Sequence, residues 1–138
     1  MTQSERRLYL INYLKNESKE YRSLEIPYDE SERKLFLRGL MNVRMPNTIS
    51  QEFLEVQDEY LQEEIARKGI TDVNDFENSH SGMYLWQGDI TTLKCDAIVN
   101  AANSGMTGCY VPNHRCIDNC IHSFAGIQLR TKCGEIMK

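Results

Sequence analysis

The first 94 residues of this 138-residue chain contain no cysteine, and several other features are missing as well. There is no apolar run long enough to cross a bilayer. The polar start, Met1-Thr2-Gln3-Ser4-Glu5-Arg6-Arg7, lacks the apolar segment of a secretory signal, so a cytoplasmic location is expected. Basic residues are not in excess: 16 Lys and Arg stand against 20 Asp and Glu, a net charge of -4. That balance gives no general electrostatic reason to gather on nucleic acid or anionic membranes, and neither is expected as a partner. Internal repeats and low-complexity tracts are also missing. What remains, with 41% apolar and 26% charged residues, is the composition of a soluble globular chain with one sizeable core. All five cysteines, Cys95, Cys109, Cys116, Cys120 and Cys133, lie in the last third. An odd number in a reducing compartment suits thiols or metal ligands better than disulfides.

The first half reads as helical. Leu8, Ile11 and Leu14 recur at helical spacing, and Asp29 to Ser31 offer N-caps for a segment carrying Leu35, Phe36, Leu40 and Met41. Pro46 breaks the chain. Thr48 with Gln51 then forms a capping-box pattern ahead of Phe53, Leu54, Leu61 and Ile65, with Gly69 as a C-terminal stop. Such stripes normally serve burial, so this layer is expected to support a site rather than build one. Residues 71–81 are a polar connection, and the organisation expected is a helical extension over 1–78 followed by a second unit over 79–138. In that unit Met83–Trp86 and Ala97–Val99 read as strands, the latter short enough to be a buried parallel one. From Asp118 onward Ile121, Phe124, Ala125, Leu129, Cys133 and Ile136 share a helical face with Ile117. The order of strand, turn, strand, loop and helix belongs to an α/β layer.

Chemistry concentrates between residues 88 and 122. Gly88-Asp89-Ile90-Thr91 is, taken alone, a common direction-reversing turn. In Asn100-Ala101-Ala102-Asn103, carboxamides at the end of a strand can donate to and accept from sugar hydroxyls, and the alanines let a ligand approach; equally, both asparagines can cap or turn the chain. Cys109-x4-His114-x-Cys116 places two thiols and an imidazole within eight residues, with Pro112 bending the loop so that they converge. Two sulfurs and a nitrogen suit zinc, and three protein ligands leave a fourth position open. The spacing by itself leaves three options: such a catalytic site, a closed structural site that recruits Cys120 or His122, or no metal. Asp118, at the start of the helical stripe, reads by itself as a plain N-cap. His122, one turn on, reads as a core or supporting histidine, and His80 as exposed. Cys95 and Cys133 are expected in core positions, and Trp86 and Tyr110 are more commonly buried than stacked on a base.

Taken together, Gly88-Asp89-Ile90-Thr91, Asn100-Ala101-Ala102-Asn103 and Gly108-Cys109-Tyr110-Val111-Pro112-Asn113-His114-Arg115-Cys116-Ile117-Asp118-Asn119-Cys120-Ile121-His122 resemble the opening half of a macrodomain. Gly-Cys, a proline, His-x-Cys-Ile-Asp-Asn and Ile-His are similar to the zinc-dependent branch that hydrolyses ADP-ribose from proteins. The resemblance implies that Asp89 and Ile90 hold adenine and that Asn100 and Asn103 bind the substrate, Asn103 at the distal ribose. It further implies that Cys109, His114 and Cys116 hold Zn2+ and that Asp118, with Asn103, is catalytic. The implied fold is α/β: a helical N-terminal extension followed by the first half of a three-layer α/β/α macrodomain. By that likeness the fold is incomplete here, its later strands and second glycine-rich loop missing, so activity is expected to be impaired. The implied partners are ADP-ribose and an ADP-ribosylated protein. Two other functions suit the same residues: a non-catalytic ADP-ribose-binding module, and a zinc-stapled interaction module.

Overall fold

The computed structural model describes all residues 1–138 as a mainly helical chain with one small parallel sheet. In order, the elements are α1 (Gln3–Glu17), α2 (Lys19–Arg22), α3 (Glu30–Val43), α4 (Gln51–Lys68), β1 (Thr71–Asp72), β2 (Leu93–Lys94), α5 (Ile117–Ala125) and α6 (Ile127–Ile136). Local chemistry sets the helix starts. Thr2 and Glu5 form a reciprocal capping box on α1, Asp29 accepts from the Ser31 and Glu32 amides at α3, and Ser50 accepts from Phe53 at α4. Ser50, not Thr48, is therefore the α4 cap. Gly69, at φ 99°, ends that helix where a stop is expected.

Helices α1, α3 and α4 bury one shared apolar face: Leu10, Ile11, Leu14, Leu37, Leu40, Met41, Phe53, Val56 and Tyr60, joined by Ile127 from α6. Each such side chain contributes about 1.5–3 kcal/mol on burial, which outweighs the weak intrinsic propensity of any one helix. Polar pairs clamp the rim of this layer. Arg6 bridges Glu59 and Glu63 at 2.9 Å each, and Gln3 donates to the Tyr60 carbonyl at 2.9 Å.

The second half departs from its expected strands. Only β1 and β2 pair, Thr71 with Leu93 and Asp72 with Lys94. Met83–Trp86 forms no strand: one antiparallel bridge between His80 and Met83 closes a turn, and Trp86 stacks on Phe76 with ring centroids 5.9 Å apart. Ala97–Val99 has no ladder either, and Val99 is 90% exposed. The apolar composition of these segments favours a pleated, half-buried surface, but a strand also needs a neighbour to pair with, and these have none here. The expected single helix beyond Asp118 is two helices broken at Gly126, whose φ of 88° no continuous helix allows. A Cβ there would lie 2.5 Å from Gln57 and Gln128 side-chain atoms. Fully buried Gln57 explains that close approach. It accepts from the Ile127 amide at 3.0 Å, so α4 satisfies the start of a helix that has no side-chain cap of its own. Cys95 is exposed rather than buried, Cys133 is half-buried, and His80 is exposed as expected.

Candidate metal centre and carboxylate site

The loop from Gly108 to Cys116 owes its shape to two left-handed residues. At Gly108 (φ 91°) an added Cβ would sit 2.8 Å from the His122 ring, so the close passage of the chain over that ring requires glycine. At the far end Val111-Pro112-Asn113-His114 closes a turn, with the His114 amide donating to the Val111 carbonyl at 3.2 Å and Asn113 at φ 58°. Proline then asparagine at its centre is the chemistry such a turn requires. The chain folds back, and Cys109, His114 and Cys116 converge as their spacing predicts.

Their ligand atoms all lie within 4.8 Å of one another, and Cys109 Sγ is 3.7 Å from His114 Nδ1. Ligands of one tetrahedral zinc stand roughly 3.6–3.8 Å apart, from metal-to-sulfur and metal-to-nitrogen bonds of about 2.3 and 2.0–2.1 Å. The donor set suits that ion, and the Cys109–His114 separation falls in that range. Cys120 and His122 lie outside the group, which leaves three protein ligands. Cys116 has a second role: its Sγ accepts from the Asn119 amide at 3.4 Å, making it the N-cap of α5. Asp118, read as a possible cap, instead sits inside the first turn.

Asp118 is 4% exposed. Its Oδ1 accepts from Asn100 Nδ2 at 2.9 Å and lies 3.6 Å from His122 Nε2, while Oδ2 meets no protein donor and is not sealed from solvent. Beside it, Asn100 Oδ1 is buried with no partner, an acceptor that awaits a donor. Asn103 is used locally: its Oδ1 accepts from Gly105 N at 3.0 Å and its Nδ2 donates to Gly108 O at 3.3 Å, a turn at the entrance to the loop. Asn100 is thus the asparagine joined to the carboxylate. Asp89 caps a short 3-10 turn, Ile90–Thr92, that packs on α5. Burial alone would raise the Asp89 pKa, but its ion pair with Lys68 and bonds from Thr91 outweigh this and hold it at about 2. Two clefts of about 450 and 420 Å³ lie along the helical layer; neither includes the sulfurs, His114 or Asp118. Around the ligands the surface is open, with His114 exposed and both cysteines half-buried.

His122 is buried against Gly108. Desolvation lowers its pKa from the usual value near 6.5; Asp118 pulls it up and Arg130 pushes it further down. The folded protein therefore favours neutral imidazole, and below about pH 6.5 the unfolded chain takes up this proton first. Metal-free protein is expected to lose stability as pH falls from 7 to 5, more steeply than His122→Gln protein. Melting curves across that range check it, and equal slopes would contradict it.

Sequence reading missed the residues that hold the loop in place. Arg38 and Asn42, one turn apart on α3, reach into it: Arg38 Nη2 donates to His114 O at 2.9 Å and to Asn119 Oδ1 at 2.8 Å, and Asn42 Oδ1 accepts from Asn113 N at 2.9 Å. Asn119, fully buried, donates to the Val111 carbonyl at 3.0 Å and the Cys109 carbonyl at 3.5 Å. Arg130 donates to Thr107 O and Cys109 O, and its guanidinium lies 4.1 Å from the Tyr110 ring centroid. The available signal was a polar residue repeating at i, i+4 beside the apolar face of α3.

No family model matches the chain. Among curated proteins, it is similar to a protein-ADP-ribose hydrolase of Treponema medium, 58% identical over 142 residues that take in all of this chain and 54% of the relative. It is also similar to a protein-ADP-ribose hydrolase of Staphylococcus aureus (strain MRSA252), 45% identical over 131 residues, 94% of this chain and 49% of the relative. The chain spans about half the length of the curated relatives it matches. No helix is long and apolar enough to cross a membrane.

Proposed function

We propose that this chain carries the metal-binding and carboxylate part of a zinc-dependent macrodomain enzyme that removes ADP-ribose from modified protein side chains. The observation that carries the reading is the convergence of Cys109, His114 and Cys116 two residues ahead of a buried, asparagine-bonded Asp118. Its likeness to proteins named for that hydrolysis supports the choice of substrate. On this reading residues 1–78 are a helical extension and 79–138 belong to the macrodomain.

Zinc bound to the three ligands would supply Lewis acidity at its fourth position. The chain's own residues do the rest. Asp118 Oδ2, which meets no protein donor, orients a water and takes its proton as that water attacks the distal ribose carbon that carries the modified side chain; the bond from that carbon to the side chain breaks, and the side chain leaves, taking up a proton from solvent. Asn100 fixes the carboxylate through Oδ1 and offers its own unpartnered Oδ1 to a ribose hydroxyl. Asn103 shapes the entrance at the same sugar, and Asp89 with the Ile90 amide receives adenine. Asp89 must then share its oxygens with Lys68 and Thr91, which the two lone pairs on each oxygen permit.

The test is release of ADP-ribose from a modified protein, run on this chain with a full-length relative as reference. Turnover is expected to cease on chelation and to return with added zinc, and to be lost in Cys116→Ser protein. Turnover indifferent to chelator sinks the mechanism. Tight ADP-ribose binding by calorimetry without turnover favours a reader instead.

A further inference from the structure

Three ligands on a loop without regular secondary structure converge only if something outside the loop holds its backbone. Each ligand has a separate anchor. Cys116 is fixed as the N-cap of α5. The Cys109 carbonyl is held by Arg130 Nη2 at 3.1 Å and Asn119 Nδ2 at 3.5 Å. His114 is exposed, and beyond its own turn its backbone is bonded only by Arg38 Nη2. The same nitrogen donates to Asn119 Oδ1, which turns the Asn119 amide so that its NH2 faces the Cys109 and Val111 carbonyls. Arg38 Nε, at 3.3 Å, donates to Ser123 Oγ, which in turn donates to Asn119 Oδ1 at 3.2 Å.

From this arrangement we infer that Arg38 is a positioning residue for the metal centre, so that the helical layer sets zinc affinity as well as packing. The inference rests on the zinc reading above, but not on hydrolysis. One planar guanidinium fixes the His114 backbone directly and that of Cys109 through Asn119. Its fork holds the His114 carbonyl, Asn119 Oδ1 and Cys120 Sγ on one nitrogen and Ser123 Oγ on another, in fixed geometry. A lysine ammonium keeps the charge but has no such fork.

The experiment measures zinc affinity by competition with a chromophoric chelator, together with the absorption of cobalt(II) in place of zinc, at a temperature well below unfolding. Arg38→Lys protein is expected to bind zinc about 10–100-fold more weakly than wild type, as loss of a residue supporting a ligand does, and to show an altered cobalt spectrum. Leu37→Ala, next to it on α3 but in the apolar core, is the control for stability: it lowers the melting temperature and leaves affinity and spectrum as in wild type. Wild-type affinity in Arg38→Lys, or an equal loss in Leu37→Ala, would overturn the inference. Wild-type protein that takes up no zinc overturns it together with the metal reading. An Arg38 effect on zinc in a protein that never releases ADP-ribose supports it and rejects the hydrolase.

Discussion

Asp118→Asn protein is expected to take up zinc like its parent, melt within a few degrees of it, and release ADP-ribose about 10²–10⁴-fold more slowly. The substitution changes little besides the charge. Asparagine has the same shape, its carbonyl can keep the 2.9 Å bond from Asn100, and Asp118 is not among the converging ligands. What disappears is the carboxylate oxygen that meets no protein donor, and with it the proposed acceptor for the proton of the attacking water. A residue that works only in the transition state lowers kcat and leaves KM near its original value. Single-turnover release, read beside zinc content, separates this from metal loss. Unchanged kcat with full zinc would assign the carboxylate to helix packing alone, and a raised KM with kcat preserved would make it a binding group.

Most of the helical layer was legible because its rules are local. Asp29 and Gly69 act within a turn or two of themselves, and the structure keeps both; of the α3 stripe it buries Leu40 and Met41 but leaves Leu35 exposed and buries Leu37 instead. The residues of the metal loop were legible for a related reason, since Cys109, Pro112, His114 and Cys116 lie close enough in sequence for residue type and spacing to suggest that they meet. Pairing is not local. Ala97–Val99 has strand composition, yet nothing in the segment says whether another strand lies alongside it. Gly126 lies inside the apolar period read as one helix, and what it does there depends on a distant contact: it breaks the helix at positive φ, where a Cβ would meet Gln57, 69 residues earlier. The support of the site was hidden for the same cause. Arg38 and Asn42 read as the polar face of a helix because the loop they hold comes more than 70 residues later.

Arg130 is the residue whose loss is expected to cost most in stability. The residue is 4% exposed and its guanidinium bonds five carbonyls: Nη1 meets Met41, Asn42 and Arg44 at 3.2, 2.6 and 2.8 Å, Nε meets Thr107 at 2.6 Å and Nη2 meets Cys109 at 3.1 Å. No carboxylate bonds it, so the carbonyls must offset its desolvation, and the negative end of α3 is placed to help. Helix α3 has no basic residue in its own last turn, and Arg130 supplies one from α6. In Arg130→Met protein a similar volume is filled, but up to five acceptors lose their donor at about 1–3 kcal/mol each where water cannot replace it. Partial rehydration makes the sum smaller than that product, and about 3–5 kcal/mol is expected, with a fall in melting temperature on the order of 10 °C. Arg130→Lys should recover only part of this, since one ammonium cannot reach the ends of α3 and the metal loop together. Urea unfolding is the measurement: the midpoint should drop with an unchanged slope. A loss below about 1 kcal/mol would mean that water serves these carbonyls as well as Arg130 does. The two arginines thus part company experimentally, Arg38 read in metal affinity and Arg130 in global stability, because one holds the exposed middle of the loop and the other bolts its buried start to the helical layer.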